Sequence, residues 1–137
     1  MNPRILAKSI YTGDRGCTAF VYDRAKRELR IQIDCISVLR PGTEVWDFYN
    51  EGNIEDGWIV LRGVDELSME PPGFIPNDWF NDISIEDCPS SPGRYRMVIS
   101  IDSIDDSGKT TEVTIRGFVD DAHLEDSNGQ EVSIGPT

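Results

Sequence analysis

Residue types that commonly carry chemistry are sparse in this chain. Its single histidine, His123, sits between acids in VDDAHLED. A carboxylate–histidine pair activates a nucleophile only when a serine or cysteine lies within hydrogen-bonding reach, and no G-x-S-x-G elbow or comparable turn is present. His123 therefore reads as a solvated surface residue, and the chain reads as non-enzymatic, with no catalytic residue assigned. Carboxylate pairs are numerous: Asp105-Asp106, Asp120-Asp121 and Glu86-Asp87. Each falls at a predicted strand end, where acids are ordinary turn residues. Glycoside hydrolysis would need two carboxylates facing one another across a groove, and nothing in the spacing singles out one pair.

Metal and phosphate chemistry find little more. EDSNGQE begins like a calcium loop, but it lacks the alternating Asp or Asn before a sixth-position glycine and the terminal bidentate Glu. One histidine and the scattered Cys17, Cys35 and Cys88 give no zinc spacing, and an odd set of distant cysteines suits reduced thiols in a cytoplasm. There is no Walker loop and no G-x-G-x-x-G between a strand and a helix. No metal or cofactor is assigned.

Charge is more informative. The net charge is −12, and residues 1–40 hold eight of the thirteen Lys and Arg against four acids, while 41–137 hold five against twenty-one. Such a surface repels phosphates and anionic lipid, so neither nucleic acid nor a membrane is an expected partner. A basic protein is. The acidity alternatively serves only solubility. The candidate binding group combines acids with rings: Glu44, Trp46, Asp47, Tyr49, Glu51, Glu55 and Asp56. Rings anchor and charges steer at many protein interfaces. Phe48 and Trp58 are expected to pack inward instead.

The elements that must position these residues are strands. In RELRIQIDC, Leu29, Ile31, Ile33 and Cys35 form one face and Arg30, Gln32 and Asp34 the other. Ile36 and Val38 then fall on the opposite parity, which a bulge near Cys35 and Ile36 or a second covering layer would explain. Pairing Tyr22 with Leu29 and Phe20 with Ile31 keeps the apolar residues of a 20–31 hairpin on one face; in that register Cys17 and Cys35 do not meet, so no disulfide is expected. GRYRMVISIDSI alternates with Tyr95, Met97, Ile99 and Ile101 inward, and after a turn at Asp106–Lys109 a second strand carries Val113, Ile115 and Val119. WIVLRGVDELSME reads as a strand covered on both faces with a kink at Gly63 or Asp65-Glu66. NDISIED points Ile83 and Ile85 inward, and Asn128-Gly129 suits a two-residue turn closing a last hairpin. Thr43 to Gly52 has the capping and spacing of a short helix-like insertion. Together these predict one domain over 1–137, all-β, an antiparallel sandwich or barrel of seven to nine strands with that one insertion.

EPPGFIPNDWF, residues 70–80, is the most apolar irregular stretch. Its prolines exclude a central strand, and Phe74, Ile75, Trp79 and Phe80 are expected to form a lid on one end of the core. Across GVDELSMEPPGFIPNDWFNDISIED, residues 63–87, the chain resembles small bacterial proteins of unknown function, some of which look like immunity proteins of toxin systems. That resemblance implies a small, acidic, β-rich cytoplasmic protein that neutralises a basic partner such as a toxin through an acidic face, and it transfers no site residue. The alternative is a ligand- or calcium-binding β-sandwich module.

Overall fold

The computed structural model describes residues 1–11, 13–39 and 53–133. The helix-like insertion at 43–51 lies outside them. Among the described residues ten antiparallel strands follow one short helix: α1 (Pro3–Lys8), β1 (Ile10–Tyr11), β2 (Arg15–Asp23), β3 (Glu28–Val38), β4 (Ile54–Arg62), β5 (Asp65–Glu70), β6 (Trp79–Asp87), β7 (Tyr95–Ile104), β8 (Thr110–Val119), β9 (Asp121–Glu125) and β10 (Glu131–Val132). Ten exceed the seven to nine expected because β1 and β10 are too short to show a period, and because WIVLRGVDELSME divides into two strands. α1 was not foreseen, although Asn2 caps it by accepting from the Arg4 and Ile5 amides and Pro3 opens its first turn.

The strands form one open hydrogen-bonded path, β10-β9-β4-β3-β2-β6-β7-β8-β5, with β1 added beside β3. The path is not closed into a barrel. Only two residue pairs, Arg15↔Phe80 and Gly16↔Trp79, join β2 to β6. The path therefore falls into a first leaf, β10-β9-β4-β3-β2, and a second leaf, β6-β7-β8-β5. Inward residues of both leaves, among them Leu29, Ile31 and Ile59 from the first and Met97, Ile99 and Ile115 from the second, belong to one buried cluster. Each such side chain contributes about 1.5–3 kcal/mol by leaving water. α1 joins the same core through Leu6, which is fully buried, and is tied down by Met1 to Asp121, Arg4 to Asp87 and Asn2 to the Tyr95 hydroxyl.

Registers bear out the alternation. Phe20 faces Ile31 and Tyr22 faces Leu29, with a shift between Cys17 and Ala19 that turns Cys17 into the core. All three cysteines are free thiols. The parity switch in β3 has a different origin from the one expected: Cys35↔Glu55 and Ile36↔Ile54 keep register with Ile33↔Gly57, but Asp34 drops out of the ladder opposite Asp56, whose φ is +51°. The Asp34 carboxylate instead accepts from the Gly16 and Cys35 amides at 3.1 and 2.8 Å. The last hairpin also differs, since its turn is not two residues long. DDSGK (105–109) and DSNGQ (126–130) build the same turn: the leading Asp Oδ1 accepts from the amides two and four residues on, and the fourth-position glycine has φ near +80°.

The chain passes between the leaves at Gly63-Val64 and again at Asp120, and the two crossings are bound to each other. Asp120 N donates to Arg62 O, and Arg94 bridges Asp65 (2.6 Å) and Asp120 (3.1 Å). Arg27, at the β2–β3 turn, grips both Asp65 oxygens. These hydrogen bonds, first from Arg27 and then from Arg94, hold the Asp65 carboxyl at about 2, down from 3.8.

Two outcomes follow. Gly63 has φ +69°, and a Cβ there would meet the Asp120 Cβ at 2.7 Å, whereas Gly108 (φ +84°) has nothing nearby. Gly63→Ala should cost about 3 kcal/mol in a urea melt and Gly108→Ala about 1, because only the first adds a collision to the backbone strain. Because the Asp65 pKa is depressed on folding, its contribution is present above 3.8 and lost as pH falls toward about 2. Across that window the Tm of Asp65→Asn should fall less steeply than the parent's, from a lower value at neutral pH.

Candidate protein-interaction site

Of the seven residues proposed for binding, Glu44, Trp46, Asp47, Tyr49 and Glu51 lie outside the described residues; Glu55 and Asp56 are exposed at the start of β4. Trp58 does not pack inward as expected. Ile59 takes the core side of β4, leaving Trp58 half-buried on the outer face with the Arg30 guanidinium 4.9 Å above its ring.

His123 is likewise corrected. It is 7% exposed, and its Nε2 donates to Glu125 Oε2 at 2.6 Å while Arg30 donates to Glu125 Oε1 at 2.7 Å. Burial pushes the Glu125 carboxyl up, but the hydrogen bonds from Arg30 and His123 outweigh it and leave the group below its ordinary range. The other ring nitrogen, Nδ1, faces Glu131 at 4.0 Å. Carboxylates flank the ring on both sides, and among the described residues no hydroxyl or thiol is hydrogen-bonded to it. The network joins β3 to β9 on the outer face of the first leaf. A five-residue strand cannot announce from its own sequence that its polar side will be covered.

Metal ligation fares no better among the described residues, where no group of three or more His, Cys, Asp or Glu is placed to hold an ion. In the calcium-like stretch Glu125 is bonded to Arg30 and His123, and Asp126 spends Oδ1 on the turn amides. No helix among them is long and apolar enough to cross a membrane.

The largest departure from expectation is the 70–80 loop. It is not a lid. Phe80 is 2% exposed, but Trp79 is 52%, Ile75 70% and Phe74 37% exposed. Its route explains this. Strands β5 and β6 are opposite margins of the second leaf, so the loop must pass across the ends of β8 and β7, a span of about 14 Å at ordinary strand spacing. It rests on that edge through its backbone and Asn77: the Asn77 and Asp78 amides donate to Asp102 O, Asn77 exchanges side-chain hydrogen bonds with the Ile104 amide and carbonyl, and the Cys17 amide donates to Asp78 O. With the polar atoms turned to the sheet end, the rings turn to solvent.

Beside these rings lies an acidic field. The bulge between Phe80 and Asp82 turns both Asn81 and Asp82 outward, and the rows Asp82↔Ser100↔Thr114↔Glu70 and Asp102↔Glu112 cross the outer face of the leaf next to the loop. None of Glu70, Asp82, Asp102 or Glu112 forms an ion pair among the described residues. Composition alone could not find this site, because the sign of the bulge at Asn81 decides whether Asp82 joins the field.

If the loop is free of the core, Phe74→Ser, Ile75→Ser and Trp79→Ser combined should change stability by less than about 1 kcal/mol, while Phe80→Ala should cost about 4 kcal/mol in the same urea melts.

The chain belongs to a family of unknown function, DUF6258, whose model matches residues 1–135. No curated protein and no solved structure matches it.

Proposed function

We propose that this member of the family is a non-enzymatic protein-binding domain of the cytoplasm that captures a basic partner, in the manner of an immunity protein, through the acidic outer face of its second leaf and the exposed rings beside it. The observation that carries the reading is the juxtaposition of four carboxylates that form no ion pair among the described residues, Glu70, Asp82, Asp102 and Glu112, with solvent-facing Phe74 and Ile75 on an anchored loop and Trp79 at the start of β6. Rings held on a rigid base lose little entropy on binding, and they supply the apolar area that charges alone lack. The carboxylates raise the encounter rate with a cationic surface and reject anionic ones. Three free thiols suit a reducing compartment. The reading moves the binding group from the aromatic-acidic stretch at 44–56 to an acidic-aromatic group of the same chemistry assembled from four strands.

The test is capture of proteins from the native host's lysate at low ionic strength on the immobilised parent and on two variants, Glu70→Gln/Asp82→Asn/Glu112→Gln and Phe74→Ser/Ile75→Ser/Trp79→Ser. A basic protein should be retained by the parent, bind each variant at least about tenfold more weakly, and elute as salt shortens the Debye length to about 3 Å. Capture of no basic protein, or equal capture by all three, overturns the reading.

A further inference from the structure

Arginine in this molecule is nearly always bonded. Arg4, Arg15, Arg27, Arg30, Arg62 and Arg94 each make an ion pair or a hydrogen bond. Within the described residues only Arg24, Arg96 and Arg116 make none, and Arg24 is by itself in the β2–β3 turn. Arg96 and Arg116 stand together. The pairs Arg96↔Phe118 and Val98↔Arg116 set them diagonally across β7 and β8, both exposed on the outer face. Diagonal neighbours on a sheet are about 7–8 Å apart, close enough for two long side chains to converge on one group.

The floor beside them is apolar, and a bulge opens it. Between Asp65↔Phe118 and Ser68↔Arg116, β5 places two residues, Glu66 and Leu67, against the single Gly117 of β8. Leu67 packs on the core, while Glu66 takes φ +53° and is exposed. Gly117 admits the bulge because a Cβ there would lie 3.0 Å from Asp65 O. The result is a groove of about 290 Å³ lined by Glu66, Arg96, Val98, Arg116, Gly117 and Phe118. Val98 is 40% exposed, and Phe118 is half-buried with the Arg94 guanidinium 5.7 Å from its ring. Bulges are over-represented beside binding sites because they re-aim side chains and end regular pairing.

We propose that this groove binds a small aromatic monocarboxylate, its carboxylate held by Arg96 and Arg116 and its ring resting on Phe118 and Val98. A guanidinium matches a carboxylate with two parallel hydrogen bonds and stacks on flat π systems. Glu66, on the groove, and Glu86, opposite Arg96 in register, form no ion pair among the described residues, and their charges offset those of the two guanidiniums. The groove therefore accepts one negative charge and disfavours a second, which makes a phosphate dianion the poorer ligand. An exposed ion pair is weak by itself, so the apolar floor is what gives the site its affinity. A neighbouring groove of about 430 Å³ shares Glu66 and Phe118 and adds Ser90, Ser91 and Arg94, so a larger ligand has room to extend. The site lies past the acidic rows and stands independently of any basic partner.

The test follows amide chemical shifts of the full chain by NMR during titration with phenylacetate, phenylethanol and phenyl phosphate. Phenylacetate should shift the amides of residues 96–98 and 116–118 saturably, with a Kd of about 1 mM, the range for so small a ligand. Neutral phenylethanol on the parent, and phenylacetate on Arg96→Gln/Arg116→Gln, should each bind at least about tenfold more weakly, since each lacks the charge-assisted hydrogen bonds. Phenyl phosphate should also bind more weakly than phenylacetate, and the spectrum of the variant shows whether it is folded. No saturable shift by about 10 mM, shifts centred elsewhere, phenylethanol binding as tightly, unchanged binding to the variant, or tighter binding of phenyl phosphate overturns the proposal. Capture of a basic protein should survive Arg96→Gln/Arg116→Gln, so failure of this site and failure of the proposed function are separately visible.

Discussion

The knot of Arg27, Asp65, Arg94 and Asp120 is the constraint on which the architecture turns. A sandwich made from one chain must pass between its leaves, and this chain does so at Gly63-Val64 and at Asp120, where regular ladder bonds cannot continue. Exposed ion pairs are individually weak. Here they share partners, and they join the β2–β3 turn, both crossings and the entry to β7 at one end of the molecule. Glycine at position 63 lets the crossings come close enough for the network to form. With that end fixed, β5 becomes the margin of the second leaf, and the chain must return to β6 across the far end. The solvent-facing loop is thus a consequence of topology settled at the opposite pole.

Margins of open sheets invite pairing with other chains. β5 is protected by irregularity: Glu66 has φ +53°, the register against β8 shifts between Asp65 and Ser68, and Pro71-Pro72 end the strand without donors. The opposite margin, β10, has only two residues. The acidic rows and the exposed Phe74, Ile75 and Trp79 lie instead on the outer face of the second leaf and at its end.

The Arg30–Glu125–His123 network illustrates why residue type is a poor guide to chemistry. An acid hydrogen-bonded to a histidine is half of a catalytic arrangement, yet here both oxygens of the carboxylate are occupied and, among the described residues, no hydroxyl or thiol is hydrogen-bonded to the histidine. Buried polar groups are favourable only when their hydrogen bonds are made. Glu125 and His123 make theirs to each other and to Arg30, and Arg30 also lies over Trp58. The group fastens β9 to its leaf.

Period-two alternation is a local property, since successive side chains of a strand face opposite ways. The all-β class, the strand cores, the Phe20–Ile31 register, the inward sets of β6, β7 and β8 and the kink between β4 and β5 were accordingly legible in the chain alone. Local turn chemistry was legible in part: DDSGK and DSNGQ share a signature, but the length of the second turn was misjudged because Asn-Gly can close two kinds of hairpin. Only the tertiary structure decided the burial of His123, the outward placing of Trp58 and the exposure of Phe74, Ile75 and Trp79. Each depends on what lies across a sheet or on which margin a strand occupies, and no stretch of neighbouring residues carries that information. The acidic field is of the same kind, for its members come from four strands and meet only because register aligns them.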